Sequence, residues 1–231
     1  MTSNYSLLIA AIDTTADIAG VALFGGDALI SELTWYSRQS HSRDLLPCLD
    51  WLLHRAGRDK SEIGAIAVCL GPGSYAGMRV GVSTAKALAY GLGAALIGVG
   101  RLEADALPYA GATTGRIVPV QAAGRAELAW AAYEPGADGG LRETIAPQLT
   151  PLQELPGRLL PDDLVVGELA SLPAALTEAL QARGIRLAEA APSRVIAVAR
   201  IGIRRLAAGA RDNPDSLTPM YLRAPAIGPQ P

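Results

Sequence analysis

An α/β fold in two units, each a mixed sheet flanked by helices, is predicted by three features of this 231-residue chain. Three short apolar strands follow the N-terminus too closely for anything but antiparallel pairing. Strand and helical periods then alternate, which requires right-handed parallel crossovers, and the strand-rich pattern restarts after about residue 103.

Taken in order, "YSLLIAAID", "IAGVALF" and "ALISELTWY" read as a meander, with "GGD" as its tight turn. From Ser42 to Ala56 the period becomes helical, with Leu45, Leu49, Leu52, Leu53 and Ala56 on one face and Gly57 as the stop. "IGAIAVCL" is a buried strand, residues 76–92 a long helix, and "AALIGV" the next strand. "GRIVPVQ" and "AELAWAAYE" form a hairpin, "EPGADGG" and "LPGRLLPDD" are punctuation, and "DLVVGEL" is a short strand. Helices are expected in "SLPAALTEALQARG" and in "SRVIAVARIGIRRLAAG", the latter after Pro192. The units are therefore 1–103 and 104–222, with 223–231 an irregular tail. Whether the last helix packs on its own unit or on the first is left open.

Composition narrows the function. With 22 acidic and 20 basic side chains the formal charge is −2, so nothing electrostatic favours holding nucleic acid unaided. Cys48 and Cys69 sit in apolar surroundings without metal-ligand spacing, as buried thiols of a reducing compartment do. The N-terminal apolar run lacks a basic flank and stops at Asp13, which fits neither a signal peptide nor a membrane span. A cytoplasmic protein without membrane contact is expected.

The chemistry-bearing stretch is "LGPGSYAGMRVGVSTAKALA", residues 70–89. It is not a Walker loop, because Met78 and Arg79 follow Gly77 where Lys and Ser/Thr are required. As a dinucleotide loop it fails too: Pro72 has no N–H to donate, and no acidic residue ends a strand some twenty positions on. Two readings remain. The N–H groups from Gly73 to Gly77 can face an anion at a helix start, or glycine serves only a tight strand-to-helix connection. Asp13, in "IDTT", can likewise hold a hydrated metal ion or cap its turn. Asp13, Thr14, Gly71, Gly73, Ser74 and Gly77 thus form a candidate vestigial nucleotide or anion site.

Three segments, "AIDTTADIAGVAL", "SHSRDLLPCLDWLL" and "LGPGSYAGMRVGVSTAKALA", resemble in order and spacing the TsaB (YeaZ) family of bacterial tRNA threonylcarbamoyladenosine biosynthesis. "VQAAGRAELAWAAY" and "LTPMYLR" are similar to its later segments. The resemblance implies an actin-like ATPase (ASKHA, ribonuclease H-like) fold with a five-stranded mixed sheet in each domain. It implies a non-catalytic paralogue of TsaD, the subunit that transfers threonylcarbamoyl to adenosine 37 of tRNAs reading ANN codons. The expected partners are a TsaD-like paralogue and a TsaE-like ATPase, with tRNA met only through the complex. ATP and a metal ion would belong to those partners and none to this chain alone.

Departures from the family pattern agree with a non-catalytic role. The catalytic paralogue holds metal through an HxxxH-type helix, whereas His41 and His54 stand too far apart for that spacing. Gly167 is followed by Glu168 and Leu169, which would obstruct an adenosine, and Ala122 stands where the family often has Asp.

The helix from 76 to 92 is apolar on two sides. Met78, Val82, Ala85 and Ala89 make one face; Val80, Thr84, Ala87 and Gly91 make a second of small residues. On the preceding helix Trp51 projects away from the leucines, flanked by Asp44, Pro47, Cys48 and Arg55. These nine residues are the candidate partner interface, with Trp51 as anchor; the alternative is that Trp51 and the small face pack within the chain. Such a helix pair self-associates when its partner is absent, so a homodimer of the isolated chain is also expected. Two rival functions stand beside the scaffold: an ATP-dependent enzyme using Asp13 and the Gly71–Gly77 loop, and a metallopeptidase. Arg194, Arg200, Arg204, Arg205 and Arg211 give the last helix a basic side, read as a solvated face or an approach to tRNA.

Overall fold

In a computed structural model of the chain, the described residues are 7–37, 40–124, 126–191 and 193–223; the tail expected at 223–231 lies outside them from residue 224 on. The meander forms as strands β1 (Leu8–Asp13), β2 (Ile18–Gly25) and β3 (Ala28–Tyr36), paired antiparallel. Helix α1 (His41–Arg55) ends before Gly57 at φ +63°. It leads to β4 (Ile63–Gly71), helix α2 (Tyr75–Leu92) and β5 (Ala95–Gly100). Parallel pairing of β1 with β4 and of β4 with β5 gives a mixed sheet of order β3-β2-β1-β4-β5.

A short helix, α3 (Arg101–Ala106), links this sheet to the second, and the expected boundary at 103 falls inside it. The second sheet contains β6 (Ile117–Ala122), β7 (Glu127–Pro135) and β8 (Leu141–Pro151). A single-turn α4 (Leu155–Arg158), β9 (Leu164–Gly167), α5 (Ala174–Ala182) and β10 (Arg186–Glu189) complete it. Its order, β10-β9-β6-β7-β8, repeats the plan of the first. Strands β8 and β10 carry no clear period in the sequence. Most of β8 is half-exposed or exposed at a sheet edge, so its side chains alternate in neither direction.

The last helix, α6 (Val195–Ala207), lies on the first sheet although it follows the second in the chain. Leu45, Leu49, Leu52, Val82 and Ala89 pack α1 and α2 against one face of that sheet. Val195, Val198, Ala199 and Ile201 pack α6 against the other, together with Ala104 of α3. Leu102 and Ala106 turn the opposite way, into the core of the second sheet with Ile117, Ala131 and Val166. Residues 212–223 then return along the first sheet: Asp212 exchanges hydrogen bonds with Leu96 and Gly98, and the Met220 N–H donates to the Leu70 carbonyl. The segment finishes on the second unit, where Arg223 pairs with Glu127.

Candidate functional site

Strand β1 delivers Asp13 to the cleft between the sheets, and the turn after it decides what that carboxylate can do. Asp13 is only 2% exposed. Its Oδ1 accepts from the Thr15 N–H at 2.9 Å and the Thr15 hydroxyl at 2.7 Å, an Asx-type turn cap. Its Oδ2 accepts from Arg194 Nη1 at 3.3 Å. Burial alone would push this carboxyl up, but Arg194, the Thr15 bonds and Arg101 outweigh it and hold it below the usual carboxylate range.

Arg194, one residue before α6, is the hub of a larger network. Its Nε donates to Asp105 Oδ1 at 2.6 Å, and its Nη2 stands 3.7 Å from Glu168 Oε1. Arg101, 1% exposed, donates to the same Glu168 carboxylate and lies 3.5 Å from Asp105 Oδ2. Burial raises Asp105 despite the two guanidinium groups beside it. Two arginines therefore tie carboxylates of β1 and α3 to Glu168 at the end of β9. The adjoining cavity, about 550 Å³, is bordered by Thr15, Asp17, Tyr36, Glu168, Glu189 and Arg194. A cation approaching Asp13 would have to displace a guanidinium already bonded there.

The glycine-rich stretch lies against the same turn, so Asp13 and Thr14 do come together with Gly73, Ser74 and Gly77. The Ser74 N–H donates to the Thr15 carbonyl at 2.8 Å. The Ser74 hydroxyl caps α2 by accepting from the Gly77 N–H at 3.2 Å, and the Thr14 hydroxyl donates to the Gly77 carbonyl at 2.7 Å. A Cβ on Gly73 would fall 2.1 Å from the Thr15 carbonyl oxygen, and one on Gly77 2.0 Å from that of Thr14. A Cβ on Gly81 would stand 2.4 Å from the Thr14 hydroxyl. Glycine at these three positions lets α2 seat directly on the β1–β2 turn, and the turn's carbonyl, not an anion, takes the Ser74 N–H. Gly71, at φ +103° before Pro72, turns the chain into this loop. Gly167 answers a similar demand in the second sheet: its Cβ would meet the Val120 carbonyl at 2.0 Å.

His41 is the first residue of α1 and buried, with its pKa lowered by burial although Asp17, Asp13 and Asp44 oppose this. Cys69 is buried beside Thr15 Oγ1 at 3.7 Å, and its thiol is pushed up by burial; Cys48 is only half-buried. The basic side expected on α6 is kept in part, since Arg200, Arg204 and Arg211 remain exposed. Arg194 is in the buried network, Arg205 bonds Glu103 and the Gly98 carbonyl, and Arg211 bonds the Leu206 and Ala210 carbonyls.

On the outer face, α1 and α2 pack side by side. Trp51 is 53% exposed and Tyr90 85%, with Leu46, Pro47 and Arg55 also outward. Val80, Thr84, Cys48 and Asp44 are half-buried, and Ala87 and Gly91 are exposed. Trp51, Ala87 and Gly91 are thus left open by the chain's own packing, while Val80 and Cys48 pack in part against the core of the first sheet. Sequence reading overlooked Arg101 and Asp105 and took Arg194 for a surface cation; an i,i+4 pair directly after a buried strand was the available signal.

A family profile described as TsaD, tRNA N6-adenosine threonylcarbamoyltransferase, matches residues 35–193. The tRNA threonylcarbamoyladenosine biosynthesis protein TsaB of Bacillus subtilis is 37% identical over 97 residues, 42% of each chain. Matches to this and other curated relatives span between 26% and 57% of the relatives' own length. Among solved structures, YeaZ from Pseudomonas aeruginosa superposes with a TM-score of 0.75 at 22% identity, covering 93% of this chain and 99% of that one. The ROK hexokinase of Thermus thermophilus gives a TM-score of 0.55 at 10% identity over 87% of this chain and 100% of its own. The architecture is the actin-like ATPase fold, two mixed five-stranded sheets flanked by helices.

Proposed function

The chain belongs to the TsaD family of tRNA N6-adenosine threonylcarbamoyltransferases, on its TsaB (YeaZ) branch, and from that premise we propose that it serves tRNA threonylcarbamoyladenosine formation as a non-catalytic, activating subunit. The observation that carries the reading is the state of Asp13. The strand-end carboxylate that an ATP-dependent member of this fold would turn to a metal or phosphate is sealed by Arg194 and Thr15. The chain contributes a surface instead of a reaction centre.

That surface is the outer face of α1 and α2. It docks on a TsaD-like paralogue, completing the conformation in which the paralogue modifies adenosine 37 of tRNAs reading ANN codons, with a TsaE-like ATPase joining the pair. Trp51 supplies the aromatic anchor, and the small residues of α2 let a partner helix approach closely. Sedimentation velocity of the chain mixed with the TsaD-like paralogue of the same organism tests this. A heterodimer weakened by Trp51→Ala supports it; two species that sediment independently refute it.

A further inference from the structure

We propose that a second cavity, on the other side of Ser74 and Gln121 from Asp13, is a binding site for a small planar heteroaromatic ligand that carries a ring-edge N–H. The cavity measures about 660 Å³, within the range of small-molecule sites, and has a mainly apolar wall with few polar groups. It is formed where the α2 entrance, the end of β6 with Ala123, and residues 220–223 meet.

Three features of the wall define the ligand. Tyr75 and Tyr221 both border it, their centroids 5.1 Å apart and their rings inclined by 32°, so an aromatic surface is already assembled from two distant parts of the chain. A flat ring laid against such a surface gains from offset or edge-to-face stacking beyond the area it buries. Met78 and Met220, also in the wall, supply adaptable thioethers that pack well against ring edges.

The third feature is polar. Gln121 borders the cavity, and its Oε1 is shut off from solvent without a hydrogen-bond partner. A buried amide oxygen left unpaired is costly, so the wall is one donor short. The terminal amide turns on a soft, roughly two-fold torsion, and binding requires a rotation that would present its oxygen to the cavity, where a ligand N–H would satisfy it. An aliphatic ligand would gain no ring stacking from the tyrosines, and a ring without an N–H leaves Gln121 as it was. The site does not depend on the proposed partner and is testable on the chain alone.

Indole and 1-methylindole differ by that N–H and serve as matched probes, with adenine as a purine probe. Saturation-transfer NMR at millimolar probe should show indole binding about fivefold more tightly than 1-methylindole, the worth of one net hydrogen bond. Gln121→Leu should erase that preference, and Tyr221→Ala, a change at a partly exposed residue near the end of the described chain, should weaken both indoles. Adenine binding in the same competition assigns the site to purine-like rings; its failure with indole retained assigns it to indole-like ones. The proposal is overturned if no probe binds the folded chain, if indole and 1-methylindole bind equally, or if both variants leave binding unchanged.

Discussion

Helix α2 carries small residues on two faces, and the two faces have different reasons for them. On the inner face Gly77 and Gly81 touch the turn after β1 so closely that any Cβ would overlap Thr14. On the outer face a Cβ at Gly91 would meet nothing within 4 Å, and Ala87 is exposed. Glycine on the inner face is explained by the fold; on the outer face nothing among the described residues requires it. The same residue type therefore reads as packing on one side and as room for a partner on the other.

The charged network beneath the inner face should give the largest effect. Arg194→Met leaves Asp13 and Asp105 buried without their shared counter-ion and should cost about 3–5 kcal/mol in denaturant unfolding. The pH dependence separates this from a simple packing defect. In the native chain Asp13 is held below its ordinary pKa, so its contribution is complete above that value and is lost only as the pH falls through the lower folded value. In Arg194→Met the strongest influence opposing burial is lost and only the Thr15 hydrogen bonds and Arg101 remain against it, so Asp13 titrates above its native value. The folded variant then binds a proton at a higher pH than the native chain does, so its deficit should shrink as the pH falls from 7 toward 4. A deficit constant over that range would mean that Arg194 acts through packing alone.

Gly77→Ala should come next. Its methyl would meet a backbone carbonyl, which cannot swing aside, and overpacking of this kind costs about 3 kcal/mol. A loss below about 0.5 kcal/mol would show that α2 does not seat as described. Gly91→Ala should give the smallest change, of opposite sign. It replaces an unconstrained helical glycine and should stabilise the isolated chain by about 0.5–1 kcal/mol, while weakening association with the TsaD-like paralogue. If it stabilises the chain and association is unaffected, the outer face is not a close-approach surface.

Much of this was legible from the sequence, because strands buried on both faces and helices with one leucine stripe announce themselves by period. The elements of the first sheet could be read in chain order from "LLIAAID", "IGAIAVCL" and the helices between them, but not the spatial order of its strands. Edge strands β8 and β10 were not, since half-exposed strands lack a clean alternation. For the site, the sequence placed Asp13 beside the glycine loop but not Arg194, which arrives from 181 positions away. Nor did it show that 73, 77 and 81 repeat at four-residue intervals because Thr14 and Thr15 lie beneath them. Long-range charge pairing leaves no local period, and a glycine needed for close approach looks the same as one needed for a phosphate.

The most direct test of a subunit that acts through its outer helix face, and not through its cleft carboxylate, is the rate of adenosine 37 modification in a reconstituted reaction. Ala87→Arg places a large charge on the outer face without touching the core, whereas Asp13→Asn alters the cleft and leaves that face intact. The account predicts that Ala87→Arg lowers the rate about tenfold or more through lost association, while folded Asp13→Asn sustains it. Full activity with Ala87→Arg and none with folded Asp13→Asn would contradict it and make this chain an enzyme in its own right.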